Sequence, residues 1–428
     1  MTRRDRRDHV GNPRSGADGF PTAFDDPPTR KGKSGHVLHQ RAGPGRRGTP
    51  FPPPFPTAGP KRSTTRVRSA RRRRPDHPSI SDERRRPTMK ATVISSVGEP
   101  WRLAEIPTPS AGPGEVLVRV RASGICLNDV LASRGIIPFP STAPAVPGHE
   151  AAGEVVEVGA GVTSRRPGDR VGVPWIQGTC GRCAHCSRDP RLSGHAAFAC
   201  VAPAMTGFTA PGGQAEYVVA PASGTVLLPD DLDFELAAPV LCAGYTALSA
   251  LHVGGPRQHE RVAVVGIGGM GHLAVQFAAS AGFETIAVTR SADKRGPARD
   301  LGAALAVADA DELAGAGGAD VILITAPSYG LASECLRGLR PGGRLVLAGI
   351  DGRTPFSIEP DLGRPFFAQR QQVLGATHEG TELLTEALRI VADGQVEPRC
   401  EVFPPSRISE AVEAVERGSV RFRAVVTY

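Results

Sequence analysis

The stretch Val264-Val-Gly266-Ile-Gly268-Gly269-Met-Gly271-His-Leu-Ala constrains this chain more than any other. An apolar run, Arg261–Val265, leads into it, and a helical pattern over 271–281 leaves it. A G-x-G-x-x-G triplet alone is weak evidence. Between a strand and a helix it is the turn of a βαβ unit. Its glycines let backbone approach a pyrophosphate, which sits at the positive helix N-terminus. Downstream, 285–289, 320–325 and 344–348 read as further strands, with helical stretches between them. That alternation predicts a doubly wound parallel sheet with helices on both faces. The expectation is an α/β chain whose residues 242–372 form a Rossmann cofactor-binding domain. Gly266, Gly268, Gly269 and Gly271 are its candidate dinucleotide contacts.

The end of the second strand bears on which dinucleotide binds. An acid there would hold the ribose 2′-hydroxyl of NAD. The sequence instead runs Val288-Thr289-Arg290-Ser291-Ala-Asp293-Lys294, with no acid at Thr289. Arg290, Ser291 and Lys294 suit a 2′-phosphate, which a planar guanidinium matches well. NADP is therefore expected over NAD, although Asp293 keeps NAD open.

The first 88 residues differ from the rest. They hold 22 Lys+Arg against 8 Asp+Glu, so within a chain of net charge +8 the remainder carries −6. Runs of Arg sit among prolines, and no hydrophobic period is present. Such a segment buries too little apolar surface to offset its ordering entropy, so 1–88 is expected to be a disordered basic tail. Met89 is the expected true start. A nucleic-acid-binding arm is disfavoured because few aromatics are available to stack on bases. No apolar run is read as long enough to span a bilayer, and the N-terminus has no signal-peptide core. The globular part is expected to be cytoplasmic, with no nucleic-acid or membrane partner.

From Met89 onward, 90–95 and Glu115-Val-Leu-Val-Arg-Val-Arg121 alternate as strands. Short strands and Gly/Pro turns continue to about residue 228, which predicts a β-rich domain. A helix over 382–392 and a strand over 422–427 close the chain. The β-rich domain is thus expected to cover 89–241 and 373–428.

Two groups of residues suggest metal. Cys180-Gly-Arg-Cys183-Ala-His-Cys186 spaces three thiols at three-residue intervals, and Cys200 follows. Four converging thiolates suit a tetrahedral zinc with every position filled, hence a structural ion. His185 and His195 compete as ligands, and His195 is the stronger competitor. The second group is dispersed. Cys126 lies in Gly124-Ile-Cys-Leu-Asn-Asp129, His149 in Pro147-Gly-His-Glu150, and Cys242 in Leu241-Cys-Ala-Gly244.

The segment Gly148-His149-Glu150, with Gly153, Gly159 and Val162, resembles the signature of the zinc-dependent alcohol dehydrogenases of the medium-chain superfamily. So do Gly168-Asp-Arg-Val171, Gly213-Gln-Ala-Glu-Tyr217 and the cysteine loop. The resemblance covers 89–428. It implies a GroES-like catalytic domain beside the Rossmann domain, and a catalytic zinc on Cys126, His149 and Cys242. With the structural site this makes two zinc ions per chain. An open-site zinc acts as a Lewis acid that lowers the pKa of a bound hydroxyl, from ~15.7 to ~7 for water.

The resemblance also assigns further roles. Asp129 orients His149, Glu150 is the acid behind the metal, Trp175 lines the substrate pocket and Arg423 contacts the pyrophosphate. For Trp175 a plain core aromatic, and for Arg423 an exposed strand residue, are the bland alternatives. Two positions depart from the family: Leu127 stands where His or Arg is common, and Asn128 where Ser or Thr relays the alcohol proton. The implied activity is hydride transfer between a primary or secondary alcohol, or an aldehyde, and NAD(P), by a homodimer or homotetramer. A polyol or sugar dehydrogenase is the runner-up, and a zinc-free quinone reductase fits less well. From another class comes a non-catalytic, nucleotide-sensing zinc protein.

Overall fold

The computed structural model describes residues 87–188 and 197–428. The expectations for the basic tail and for His195 lie outside these residues. The strand Thr88–Val93 opens the described chain, so the β-rich texture begins at Thr88, one residue before Met89.

A six-stranded sheet holds the strands in the spatial order Leu305–Val307, Glu284–Val288, Arg261–Val265, Ala319–Ile324, Leu339–Leu347, Gln372–Gly375. Every neighbouring pair is parallel. Numbered along the chain, that order is 3-2-1-4-5-6, the doubly wound nucleotide-binding arrangement. Its strands read as near-continuous Val, Ile, Leu and Ala because both faces are covered. Val264 and Leu323 join the core on one face, while Val265 and Ile322 join the core on the other. The last strand, Gln372–Gly375, straddles the boundary expected at residue 373.

The second sheet is mostly antiparallel and has seven strands. Glu115–Ile125 is its longest and pairs with Ala151–Val158, Tyr217–Pro221 and Arg423–Thr427. Arg170–Val173, Val226–Leu227 and Cys400–Phe403 complete it. Valines at alternating positions of Glu115–Ile125 face a small core with Val171, Val173 and Val218. This is the β-rich part expected from 90–228, and the C-terminal strand returns to it.

A 21-residue helical stretch, Phe234–Gly254, links the two sheets. By length and composition it could span a membrane, which the sequence reading does not recognise. It lies mostly buried inside the protein, packed against both sheets' core residues. Its apolarity is that of a core helix. Pro239 interrupts it, and the backbone widens into a π-helical turn at Val240–Gly244. Proline lacks the donor for the carbonyl four residues back. That carbonyl, on Glu235, lies 3.5 Å from the Cys400 thiol. A further helix, Ile408–Arg417, buries Ile408, Ala411 and Val412. Their i, i+3, i+4 spacing is helical, yet the sequence reading gives that stretch no element.

Candidate active site

Cys126, His149, Glu150 and Cys242 come together in one buried cluster, each offering a ligand atom within 4.8 Å of the others. Three separate parts of the chain deliver them. Cys126 ends the long strand Glu115–Ile125 and caps the helix Leu127–Ser133. His149 and Glu150 follow a left-handed turn at Gly148 and precede the strand Ala151–Val158. Cys242 projects from the π-helical turn. Such turns recur at functional sites because they displace one residue from the regular helix surface.

The Cys126 and Cys242 sulfurs are 4.0 Å apart, and His149 Nε2 is 3.3 Å from Cys242 Sγ. A tetrahedral ion with Zn–S bonds of ~2.3 Å needs sulfurs roughly 3.8 Å apart, so this donor set fits zinc. His149 Nδ1 donates to Asp129 Oδ1 at 2.7 Å, which turns Nε2 toward the Cys242 sulfur. The other oxygen, Asp129 Oδ2, accepts from the Cys126 backbone N–H at 3.2 Å. One carboxylate thus positions two of the three candidate ligands.

Charge couples tightly here. The Cys242 hydrogen bond and the nearby His149 hold the Cys126 thiol well below its usual range, against its burial. Burial pulls His149 down, but the charges of Asp129 and Cys126 outweigh it and the ring ends well above its usual value. Burial raises the Glu150 carboxyl to about 7, and the Arg423 charge opposes that rise. Arg423 donates to Glu150 Oε1 at 2.6 Å and is itself buried, so it is no exposed strand residue.

A cleft with a volume of about 1010 Å³ runs from this cluster to the glycine-rich turn. Cys126, Asn128, Trp175 and Cys242 line one end. Gly266, Gly268, Gly269, Gly271 and Arg423 line its middle, and Thr289, Arg290, Ser291 and Lys294 its far end. It opens beyond the carboxyl ends of Arg261–Val265 and Ala319–Ile324, where the strand order reverses. Gly266 has φ +94°, and a Cβ there would lie 2.7 Å from Ala326 Cβ. A Cβ on Gly271 would fall 1.9 Å from the Gly266 carbonyl oxygen, so only glycine lets this helix approach its strand. At Gly268 a Cβ would meet nothing within 4 Å. That open, backbone-lined space fits a pyrophosphate.

Trp175 stands over His149 with ring centroids 5.2 Å apart and lines the cleft, so it is not a mere core aromatic. Its Nε1 has no hydrogen-bond partner. Phe208 packs on both rings. His378, which the sequence reading misses, stacks on Tyr245 at 4.3 Å and meets Trp175 edge-on. Burial holds it neutral, with its pKa down at about 3. No motif marks it in the sequence.

The second cluster gathers Cys180, Cys183, Cys186 and Cys200. Sulfur separations are 3.9 Å for 180–186, 3.5 Å for 183–186 and 3.7 Å for 186–200, again the edges of a tetrahedron. Backbone N–H groups of Cys186 and Val201 lower Cys183 to about 6, which favours the thiolate a metal requires. The Cys200 sulfur accepts from the Cys180 backbone N–H at 3.2 Å. His185 is exposed and outside the set. Cys335 and Cys400 join neither cluster.

Residues 112–230 match the alcohol dehydrogenase GroES-like domain, and 269–393 match the zinc-binding dehydrogenase domain. An alcohol dehydrogenase of Geobacillus stearothermophilus is 36% identical, covering 79% of this chain and 99% of that protein. A zinc-binding dehydrogenase from Sinorhizobium meliloti, solved bound to NADP, superposes with a TM-score of 0.68 at 28% identity. It covers 80% of this chain and 100% of its own. An acetophenone reductase from Geotrichum candidum, solved with NAD, gives a TM-score of 0.68 at 25% identity, covering 80% and 97%.

Proposed function

This chain belongs to the zinc-dependent alcohol dehydrogenase family of medium-chain oxidoreductases, and we propose that it interconverts alcohols and aldehydes on Cys126, His149 and Cys242 with NADP as partner. The observation that carries this is one cleft lined at one end by Cys126 and Cys242 and in its middle by the glycine-rich turn.

When bound, zinc with an open position supplies a Lewis acid for the substrate oxygen, and the nicotinamide supplies or accepts the hydride. The chain's own residues do the rest. Cys126, His149 and Cys242 are the proposed ligands of the catalytic ion, and Cys180, Cys183, Cys186 and Cys200 those of a structural one. Asp129 keeps a proton on His149 Nδ1 and fixes the ring's orientation, the usual support for a ligating imidazole. Glu150 and Arg423 neutralise each other behind the ligands, and Arg423 faces the backbone of Gly269. Trp175 is proposed as the substrate-pocket wall.

Asn128 can donate a hydrogen bond to the substrate oxygen, but an amide is a poor proton relay. A weak relay slows alcohol oxidation and aldehyde reduction alike, because both move the same proton to or from the substrate oxygen. Thr289, Arg290, Ser291 and Lys294 are the proposed 2′-phosphate contacts. Residues 89–241 and 373–428 are taken as the catalytic domain, and 242–372 as the cofactor domain. The reading extends to a cytoplasmic location, because unpaired thiols persist in a reducing compartment, and to the homodimer or homotetramer that the family resemblance implies.

The test is a panel of alcohols, aldehydes and polyols with both cofactors, run on the full chain and on residues 89–428. Equal rates for the two proteins, with NADPH preferred, are expected. Preference for polyols would favour the sugar-dehydrogenase reading. Rates that depend on the tail would revive a regulatory one.

A further inference from the structure

The far end of the cleft carries the charge that decides between the two dinucleotides. The sequence leaves Asp293 as the one acid able to hold an unphosphorylated ribose. In the fold, the wall there consists of Thr289, Arg290, Ser291 and Lys294, and Asp293 is not part of it. Its carboxylate instead accepts from Arg421 Nη2 at 2.6 Å.

Arg421 comes from the other sheet, two residues before the strand Arg423–Thr427. Its Nη1 donates to the carbonyls of Gly418, Ser419 and Val420, at 3.1–3.3 Å. The guanidinium is therefore seated by its own turn and presents Nη2 to Asp293. Among the ion pairs of the described residues, this one alone joins the six-stranded sheet's side of the cleft to the seven-stranded sheet's side. Both partners are substantially exposed, so the pair adds little to stability. Its consequence lies in where it puts a negative charge. The Arg421 hydrogen bond holds the Asp293 carboxyl below its ordinary range, and Asp293 is not among the residues lining the cleft.

We propose that Arg421 is a positioning residue for cofactor choice: by engaging Asp293 across the cleft, it keeps the acid off the ribose site and leaves that site to a 2′-phosphate. The inference rests on the NADP reading above. It goes beyond that reading by assigning a role to a residue 128 positions from Asp293, on the opposite side of the cleft.

The test is equilibrium binding of NADPH and of NADH to the zinc-loaded full chain, by calorimetry, with no turnover. Wild type is compared with Arg421→Ala, Arg421→Lys, Asp293→Asn and the double variant Arg421→Ala/Asp293→Asn. A carboxylate released beside a phosphate in a partly exposed site is worth about tenfold in affinity. Arg421→Ala is thus expected to shift the NADPH-to-NADH affinity ratio about tenfold toward NADH. Arg421→Lys should retain most of the wild-type ratio, and the double variant should recover it because no carboxylate is left to release.

An unchanged ratio in Arg421→Ala overturns the proposal. So does a loss of NADPH affinity that persists in the double variant, since Arg421 would then contact the phosphate itself. A wild-type chain that binds NADH more tightly overturns the NADP reading alone. The coupling between positions 293 and 421 is still read from wild type, Arg421→Ala, Asp293→Asn and the double variant.

Discussion

The two sulfur-rich clusters both offer thiols and are built in opposite ways. Cys180, Cys183, Cys186 and Cys200 lie within one 21-residue stretch, and the first two are partly exposed. All four corners of that tetrahedron come from protein, which leaves no room for a substrate. Cys126, His149 and Cys242 span 117 residues, are buried, and arrive beside two strands of the seven-stranded sheet and on the connecting helix. Two of these three line the large cleft. A local cluster can tie a loop that has little core of its own. A dispersed cluster can exist only after the whole fold has formed, and it can keep one face open. The presence of thiolate donors does not by itself separate a structural from a reactive metal site. Which elements carry the donors, and whether a cleft reaches them, does.

The largest expected effects set the clusters against each other. Cys126→Ser should lower turnover by about a thousandfold or more, because a Lewis acid supplies several kcal/mol of transition-state stabilisation. Its thermal midpoint should stay near wild type. Cys183→Ser should do the reverse, dropping the midpoint strongly while the surviving folded protein keeps much of its rate. Steady-state kinetics and calorimetric melting on both variants check this. Equal stability losses in both would erase the distinction drawn here.

Asp129→Asn sharpens the picture of the dispersed cluster. The amide still fills the space but no longer carries the charge that orients His149. Loss of such a partner commonly costs ~10–100-fold in activity or metal affinity. Kinetics and a zinc-release assay with a chelator should show that range, with no effect on the cysteine loop. A wild-type rate would remove Asp129 from the account.

Legibility in the sequence followed the same divide. The parallel sheet was readable because its strands are apolar runs and its glycine turn has a steric reason at Gly266 and Gly271. The cysteine loop was readable because its spacing is local. Cys126, His149 and Cys242 could be joined only through resemblance, since no period or spacing links residues so far apart. His378 carried no motif, and its place against Tyr245 and Trp175 depends on tertiary packing. The role of Asp293 was open in the sequence because its partner, Arg421, lies on the other side of the cleft. The long core helix has no element in the sequence analysis; in space a π-helical turn carries it past Pro239.

The smallest expected effect concerns the cofactor side. His272, the residue after Gly271, is fully buried, and burial lowers its pKa to about 3. Its ring meets the Gly268 carbonyl at 3.0 Å and the Arg399 backbone N–H at 3.3 Å. The folded chain keeps this ring neutral while the unfolded chain takes up a proton near pH ~6.5. Its stability contribution is therefore complete above about 6.5 and is lost as pH falls from there toward about 3. His272→Gln should flatten the decline of the melting temperature over that window by a few degrees. Parallel melting curves for the two proteins would assign the acid sensitivity elsewhere.

The central claim is that the fold holds two zinc sites, one closed and one reactive. Metal content per chain, measured on purified wild type and on Cys126→Ser together with turnover, tests it most directly. The account predicts two zinc ions in wild type, about one in Cys126→Ser, and turnover lost with the missing ion. One zinc ion in wild type, or an active Cys126→Ser protein that has lost an ion, would contradict it.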